Sequence, residues 1–266
     1  MRRLLLLLLL AASSLLHAQT TEEALAARLL NKPLYLRGLW LSDKLHFDAA
    51  GTPTNKPEPG SFTLAGIEID HLLLQPGHLQ LQGRRFGLEF SPSGYKRVQL
   101  VRAPRKKDPI EIVIHISAPP SGDYGPALDA IFAPELADLV PTLPSYWQSY
   151  ATTHLLHPGD AAVPVPSPPL GVYKIGGGVT PPKVLKSSEP QYSKYARAQL
   201  VAGNSLIYLR VDKEGKPTEL RIQRPVGLGL DEQALEAVQK YVFAPAMRDG
   251  IPVEVELNVD VSFQIF

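Results

Sequence analysis

The chain has 266 residues, of which 44% are apolar, so it is long enough for two modest domains that each bury a core. Lys and Arg number 27 against 26 Asp and Glu, and this balance excludes a surface field of one sign that would attract nucleic acid over the whole molecule. The absence of cysteine excludes disulfides, thiol chemistry and lipid attachment through Cys.

The chain begins with the features of a secretory signal. Two arginines precede a largely apolar run from Leu4 to Leu16, and a small residue, Ala18, comes before polar sequence. A membrane-spanning helix needs roughly 20 apolar residues, which is longer than this run. We therefore expect residues 1–18 to be a signal peptide that is removed on export to the periplasm, with Ser14 as a second candidate for the last residue removed. An uncleaved leader would instead anchor the protein in the membrane.

Residues 34–155 are predicted to form a β-rich domain. Up to about Ser117, apolar and polar residues alternate or form short apolar runs, separated by turn-forming clusters such as QPGH and SPSG. This pattern predicts six or seven antiparallel strands. After Gly122 the apolar spacing becomes helical, and Pro134 and Pro141 divide the run into short helices that close the domain.

A proline-rich linker is predicted at residues 157–171, which read HPGDAAVPVPSPPLG. Its prolines favour extended polyproline geometry, so the segment should be a stiff spacer. It divides the chain into two domains, the second covering residues 172–266.

The second domain is predicted to contain a helix, a hairpin and a second helix. Residues 192–202 have helical spacing, and we expect Gly203 to cap that helix in the left-handed conformation. Two strands follow around the turn Lys213 to Lys216, where Gly215 is free to take positive φ. The run GLGLDEQALEAVQKYV predicts the second helix, with Asp231 placed to meet the exposed N–H groups of its first turn.

The chain ends on a long alternating strand that begins at Val253. With the preceding elements it predicts two helices on a three-stranded antiparallel sheet, and an α+β fold for the chain. The polar face of the strand carries charges at Glu254, Glu256 and Asp260. With no following element to pair with it, one row of backbone N–H and C=O groups should stay open. Such an edge serves either as a homodimer seam or as a site for another polypeptide.

A family resemblance favours the second reading. The runs GGGVTPPKV, EPQYSKYAR, VDKEGKP, GLGLDEQALEAV, FAPA and GIPVEV, in this order before an alternating last strand, resemble the C-terminal domain of the energy transducer TonB family over roughly residues 172–266. The resemblance implies a non-enzymatic periplasmic domain with Ser205 to Val211 as its central strand. It also implies capture of an extended peptide, the TonB box of an outer-membrane transporter, by strand addition. The partner-binding positions it implies are Val253, Val255, Leu257, Val259, Val261 and Phe263.

Two features depart from the TonB pattern. A full transducer has an uncleaved membrane helix that meets ExbB and ExbD, and a long proline-rich rod. Here the apolar run is short and the rod is one brief linker, so we expect contact with ExbB and ExbD only if the N-terminal segment is retained. An alternative is a secreted small-ligand binder or enzyme in residues 34–155, with the TonB-like part as a dimerisation or docking module.

Other candidate sites are weak, and we predict no catalytic residue, cofactor or metal site. His154 and His157 share helical spacing but have no carboxylate at a matching distance. The three glycines at 176–178 precede no helix that could bind a phosphate, and they are better interpreted as a hinge. Trp147, with Tyr146 and Tyr150, could line a ligand groove, but this spacing is more typical of a helix packed on a sheet.

Overall fold

The computed structural model describes residues 21–104, 106–156 and 170–265. The predicted signal peptide and most of the predicted linker, including His157, lie outside these residues. Within the described ranges, helices and strands are mixed over several sheets, which confirms the α+β class. No helix in those ranges is long and apolar enough to cross a membrane.

The N-terminal half, residues 21–156, contains nine strands and three α-helices among its described residues. The helices are α1 (Glu22–Leu29), α2 (Gly125–Ile131) and α3 (Ser145–Ala151), with 3-10 turns at Phe62–Leu64 and Leu136–Thr142 and a π-helical turn at Thr152–Leu156. The strands are β1 (Pro33–Leu36), β2 (Lys44–Phe47), β3 (Gly66–Gln75), β4 (His78–Ser91), β5 (Gly94–Gln99), β6 (Val101–Ala103), β7 (Lys106–Pro109), β8 (Glu111–Ser117) and β9 (Phe132–Ala133).

Seven of these described strands form one sheet, in the order β2-β8-β4-β3-β1-β9 with β5 paired to β4. Its neighbours run antiparallel except β2 and β8, which are parallel. The alternating pattern predicts the long strands β3, β4 and β8 correctly but not β2. A four-residue strand is too short for period-two alternation to distinguish it from a loop.

Helices α1 and α2 cover one face of this sheet. Leu25 and Leu29 of α1 are buried with Leu128 and Ile131 of α2 against the alternate apolar residues of the strands. Thr21 caps α1, since its side chain accepts a hydrogen bond from Ala24 N at 3.1 Å. Helix α1 has no clear helical pattern in the sequence, because its buried face consists of only these two leucines.

The C-terminal domain, residues 170–265, contains seven strands and two α-helices in its described length. The strands are β10 (Val172–Lys174), β11 (Lys183–Lys186), β12 (Gly203–Val211), β13 (Pro217–Arg224), β14 (Val242–Ala244), β15 (Ala246–Arg248) and β16 (Ile251–Phe263). The helices are α4 (Lys194–Ala198) and α5 (Leu230–Gln239).

Five of these described strands form the main C-terminal sheet, in the order β10-β16-β12-β13 with β15 paired to β16. The predicted central position of Ser205 to Val211, within β12, is confirmed. The sheet is larger than the predicted three antiparallel strands, because β10 adds in parallel and β15 folds back on β16. Each of these additions is only three residues long, so neither shows a pattern in the sequence.

The hairpin between β12 and β13 agrees with the prediction at Gly215. That residue has φ 81°, and a Cβ there would lie 1.9 Å from the carbonyl oxygen of Phe243. Asp212 Oδ1 accepts hydrogen bonds from the N–H groups of Glu214 and Lys216 and closes the turn. Glycine is therefore required both for the backbone angle and for the close approach of β14.

Helix α4 is shorter than predicted, and Gly203 does not cap it. The left-handed residue is Leu200, with φ 54°. The N–H of Leu200 donates to Arg197 O, and that of Val201 donates to Ala196 O. This is the hydrogen-bond pattern of a Schellman cap, which ends the helix three residues before Gly203. Gly203 instead begins β12.

The two halves pack against each other through a shared hydrophobic core. Residues 226–228, just before α5, lie antiparallel to the end of β4: Phe90 N–H donates to Val226 O at 2.9 Å, and Leu228 N–H donates to Leu88 O at 3.0 Å. Trp147 of α3 is fully buried, and its ring lies 5.2 Å from that of Phe62. The interpretation of Trp147 as a packing residue is thus confirmed.

Candidate functional site

Strand β16 is the element that carries the six predicted partner-binding positions. It pairs antiparallel with β12 over nine residues, from Val255 opposite Val211 to Phe263 opposite Gly203. The side chains at these positions face the core: Val253, Val255, Val261 and Phe263 are buried, and Leu257 and Val259 are half-buried. A partner at this strand would therefore contact the backbone edge, because these apolar side chains are already packed.

The outer edge of β16 is open over only part of its length. Strand β10 pairs with residues 254–256 on the side away from β12, and β15 pairs with residues 251–253. From Leu257 to Phe263, no described strand pairs with the outer side. The prediction of a free edge from Val253 onward is thus wrong at residues 254–256, where the sequence does not reveal the pairing with β10.

The polar face of β16 is connected to its neighbours by side-chain contacts. The Tyr208 hydroxyl donates to Glu256 Oε2 at 2.9 Å, and Arg224 Nη2 of β13 bonds Asp260 Oδ1 at 2.8 Å. Both side chains of the Arg224–Asp260 pair are more than half exposed, so the pair stabilises the fold only weakly. Glu256, Asp260 and the polar residues between them present a hydrophilic surface beside the open edge.

Tyr192 supports the far end of the open edge. Its ring packs edge-on against Phe263, with centroids 5.7 Å apart, and its hydroxyl donates to the carbonyl oxygen of Val201. Arg197 of α4 lies over the same ring at 5.4 Å. Tyr192 was predicted to lie inside a helix, but in the structure it precedes α4 and packs against the last residues of β16.

Asp231 connects β12 to the segment that precedes α5. Its carboxylate accepts hydrogen bonds from Ser205 Oγ, Val226 N and Gly227 N, all at 2.8 Å. Ser205 lies directly opposite Val261 of β16. Burial raises the pKa of Asp231, while these donors oppose the rise. The predicted cap of the first helical turn differs in its main partners, which are Ser205 and residues 226–227, because the carboxylate is fully buried and directed toward β12.

The remaining predicted candidates lie apart from this edge. Residues Gly176, Gly177 and Gly178 all have positive φ and form a tight turn closed by hydrogen bonds between Gly176 and Val179. The His154 ring contacts that of Tyr150, with centroids 4.5 Å apart and the ring planes tilted by 35°. Three other histidines, His46, His78 and His115, lie side by side on neighbouring strands. No group of three or more His, Asp or Glu in the described parts of the chain is placed to hold a metal ion.

Comparison with known proteins agrees with this architecture. The family model for the Gram-negative bacterial TonB protein C-terminal matches residues 188–265, from just before α4 to the end of β16. Protein TonB of Vibrio cholerae serotype O1 is 27% identical over 86 residues, which are 32% of this chain and 35% of that protein. The match thus spans about a third of the length of this relative. Residues 188–265 of this chain therefore form a TonB protein C-terminal domain.

Proposed function

We propose that the C-terminal domain binds an extended peptide, the TonB box of an outer-membrane TonB-dependent transporter, as an added strand along β16. The contact would run from Leu257 to Phe263 and take place in the periplasm, as part of energy-coupled transport across the outer membrane. The observation that carries the proposal is the open outer edge of β16 within a TonB-type domain. The proposed role is a binding role and requires no catalytic group.

The physical basis is backbone pairing. An unpaired edge offers alternate N–H and C=O groups to an incoming strand, and these give affinity with little demand on the peptide's side chains. Because the apolar side chains of β16 face the core, selectivity would come from the polar face at Asn258, Asp260 and Ser262. The carboxylate among them also disfavours pairing with an acidic strand.

The same edge also suits a second copy of this chain. Two β16 strands could pair antiparallel along residues 257–263, and this homodimer would compete with the peptide for the same backbone groups. Contact with ExbB and ExbD is proposed only for a form that keeps residues 1–18. The N-terminal half, in this proposal, holds the opposite side of the C-terminal sheet and leaves β16 accessible.

A pair of proline substitutions tests strand addition. In a strand, the N–H groups of adjacent residues point to opposite edges, so one of Leu257 and Asn258 faces β12 and the other faces the open side. We expect that one of Leu257→Pro and Asn258→Pro will unfold the sheet. The other should keep the circular dichroism spectrum and lose binding to transporter N-terminal peptides in calorimetry, because proline removes the N–H that an added strand needs.

Glu256→Gln is the matched control, since it changes a side chain next to the open edge but outside the residues proposed to select the peptide, and it leaves the backbone intact. It should retain peptide binding within a few-fold. Retained binding in the proline variant that stays folded, or no binding of any transporter peptide by the unmodified chain, would reject strand addition at β16. Loss of a dimer in the folded proline variant, without any peptide binding by the unmodified chain, would favour the homodimer.

A further inference from the structure

Glu232 occupies the contact between the two halves and has an incomplete set of hydrogen bonds. It lies in the first turn of α5, where its Oε1 accepts a hydrogen bond from the Trp147 indole N–H at 2.9 Å. Its other oxygen, Oε2, is buried and has no hydrogen-bond partner among the described residues. A charged oxygen without donors is costly to bury, whereas a neutral carboxyl in the same place costs much less.

No described cation compensates a charge on Glu232. Arg221 lines the same cleft, but its guanidinium lies over the Tyr208 ring at 4.8 Å and 3.7 Å from Glu219. Glu236, one turn further along α5, is paired with Lys240 at 2.8 Å. Each of these cations is therefore engaged elsewhere.

The other titratable groups around Glu232 are anionic or neutral. Asp231 is its neighbour in the chain and is fully buried. Burial raises the pKa of both Tyr146 and Tyr150 to about 12, so neither phenol carries a charge at neutral pH, and His154 lies beyond Tyr150. Asp231 thus favours the uncharged form of Glu232, and the two phenols add no charge beside it.

These surroundings shift the titration of Glu232 into the neutral range. Burial raises its pKa to about 7, and the Asp231 carboxylate adds to the rise. The Trp147 indole and the Ser61 hydroxyl oppose it. The Ser61 hydroxyl forms its hydrogen bond with Thr63 Oγ1 at 2.7 Å, not with Oε2.

We propose that Glu232 makes the docking of the N-terminal half onto the C-terminal domain proton-dependent. The neutral carboxyl fits the buried contact with Trp147 and stabilises the docked arrangement. The ionised carboxylate has one unsatisfied oxygen beside Asp231, and it weakens docking. A cleft of about 470 Å³, bordered by α3, β13 and α5, adjoins this contact, so a movement of α3 away from α5 would bring the carboxylate into water.

The direction of the effect follows from proton linkage. The docked form holds its proton up to about pH 7, whereas an undocked, solvated Glu232 releases it near its ordinary value of 4.5. Docking is therefore strongest below pH 4.5, weakens as the pH rises through about 7, and is constant above that. Between pH 6 and pH 8.5, this predicts a rise of about tenfold in the equilibrium constant for opening.

Amide hydrogen exchange at the contact tests the proposal. The N–H groups of Phe90 and Leu228 bridge the two halves, so they exchange when the contact opens. After correction for the intrinsic exchange rate at each pH, we expect their opening to increase about tenfold from pH 6 to pH 8.5. Glu232→Gln should abolish this increase, and Glu236→Gln, which changes an exposed carboxylate one turn away, should retain it.

The indole N–H signal of Trp147 gives a second readout on the unmodified chain. Only Trp40 and Trp147 are present, so a Trp40→Phe variant assigns the signal in a nitrogen–proton correlation spectrum. We expect its chemical shift to titrate with a midpoint near pH 7 and to be flat in Glu232→Gln. A flat signal between pH 5 and pH 8.5 in the unmodified chain, or the same exchange increase in Glu232→Gln, would overturn the proposal. Both readouts are independent of peptide binding at β16.

Discussion

The two edges of the C-terminal sheet, one along β13 and the other along residues 257–263 of β16, have different surroundings in the rest of the chain. Helix α3 of the N-terminal half packs against β13, and residues 226–228 join β4 next to it. Strand β16 has β10 and β15 at its first residues and no described strand beside Leu257 to Phe263. An edge exposed to water tends to pair with other chains, so native proteins usually cover it. Here the N-terminal half packs against β13, and the open edge of β16 is the one that we assign to a partner.

The largest expected effect on stability comes from removing the Asp231 carboxylate, which connects β12 to residues 226–227. Asp231→Ala would leave the N–H groups of Val226 and Gly227 and the Ser205 hydroxyl without their buried acceptor. We expect a loss of about 4 kcal/mol in the free energy of unfolding, measured with urea. Ser205→Ala, which removes one donor and leaves the other two bonded, should cost about 1 kcal/mol. Equal losses in the two variants would show that Asp231 does not connect β12 to residues 226–227.

The pH dependence of stability probes the contact between the two halves. Because burial raises the pKa of Glu232 to about 7, the folded chain keeps a proton that the unfolded chain releases near pH 4.5. The contribution of Glu232 is fully present below pH 4.5 and is lost as the pH rises through about 7, which amounts to about 3 kcal/mol. Urea unfolding of Glu232→Gln should lack this part of the decline. An identical pH profile in both proteins would contradict the burial of an uncompensated carboxyl at this contact.

A glycine comparison tests the junction between the halves. Gly227 has φ 97°, and a Cβ there would lie 2.0 Å from the carbonyl oxygen of Leu88, which itself accepts the N–H of Leu228. Gly77 has nearly the same φ, 92°, with nothing within 4 Å. Both alanine variants carry the strain of positive φ, about 1 kcal/mol, and Gly227→Ala should lose about 2 kcal/mol more because it displaces residues 226–228 from β4. Thermal unfolding would measure the difference in stability between the two variants. Similar losses in both would contradict the close contact between Gly227 and Leu88 of β4.

The smallest expected effect on stability comes from the Arg224–Asp260 ion pair on the polar face of β16. The Arg224–Asp260 pair joins β13 and β16 at 2.8 Å, but both side chains are more than half exposed. Arg224→Ala should change the free energy of unfolding by less than about 1 kcal/mol, and the change should shrink further at high salt. A larger loss would mean that this pair, rather than the β12–β16 ladder, holds β16 in place.

The sequence predicts the elements that have a long, regular pattern. The alternation in β16, the β12–β13 hairpin and the turn at Gly215 are each visible in the residues themselves, because the period or the backbone requirement is local. The same holds for the helical spacing that places Trp147 on a packed face. The order of the predicted elements places β12 in the centre of the sheet, and the structure confirms that position.

The features that the sequence does not predict depend on contacts distant in the chain. Strand β10 has three residues and becomes a strand only because β16 is beside it. The Schellman cap at Leu200 requires a left-handed leucine, which no local preference favours. Glu232 and Asp231 look like ordinary acidic residues at a helix start, and only burial against Trp147 and Ser205 distinguishes them. The packing of the two halves has no sequence signal for the same reason.

Residue-resolved amide exchange with a transporter TonB-box peptide is the most direct test of the account. Within residues 257–263, alternate N–H groups already bond β12, and the intervening ones face the open edge. Strand addition predicts that protection rises at the outward-facing N–H groups in an every-second-residue pattern and stays unchanged at the inward-facing ones. Peptide binding without this alternating gain in protection, or a gain confined to residues elsewhere in the chain, would contradict the assignment of β16 as the binding edge.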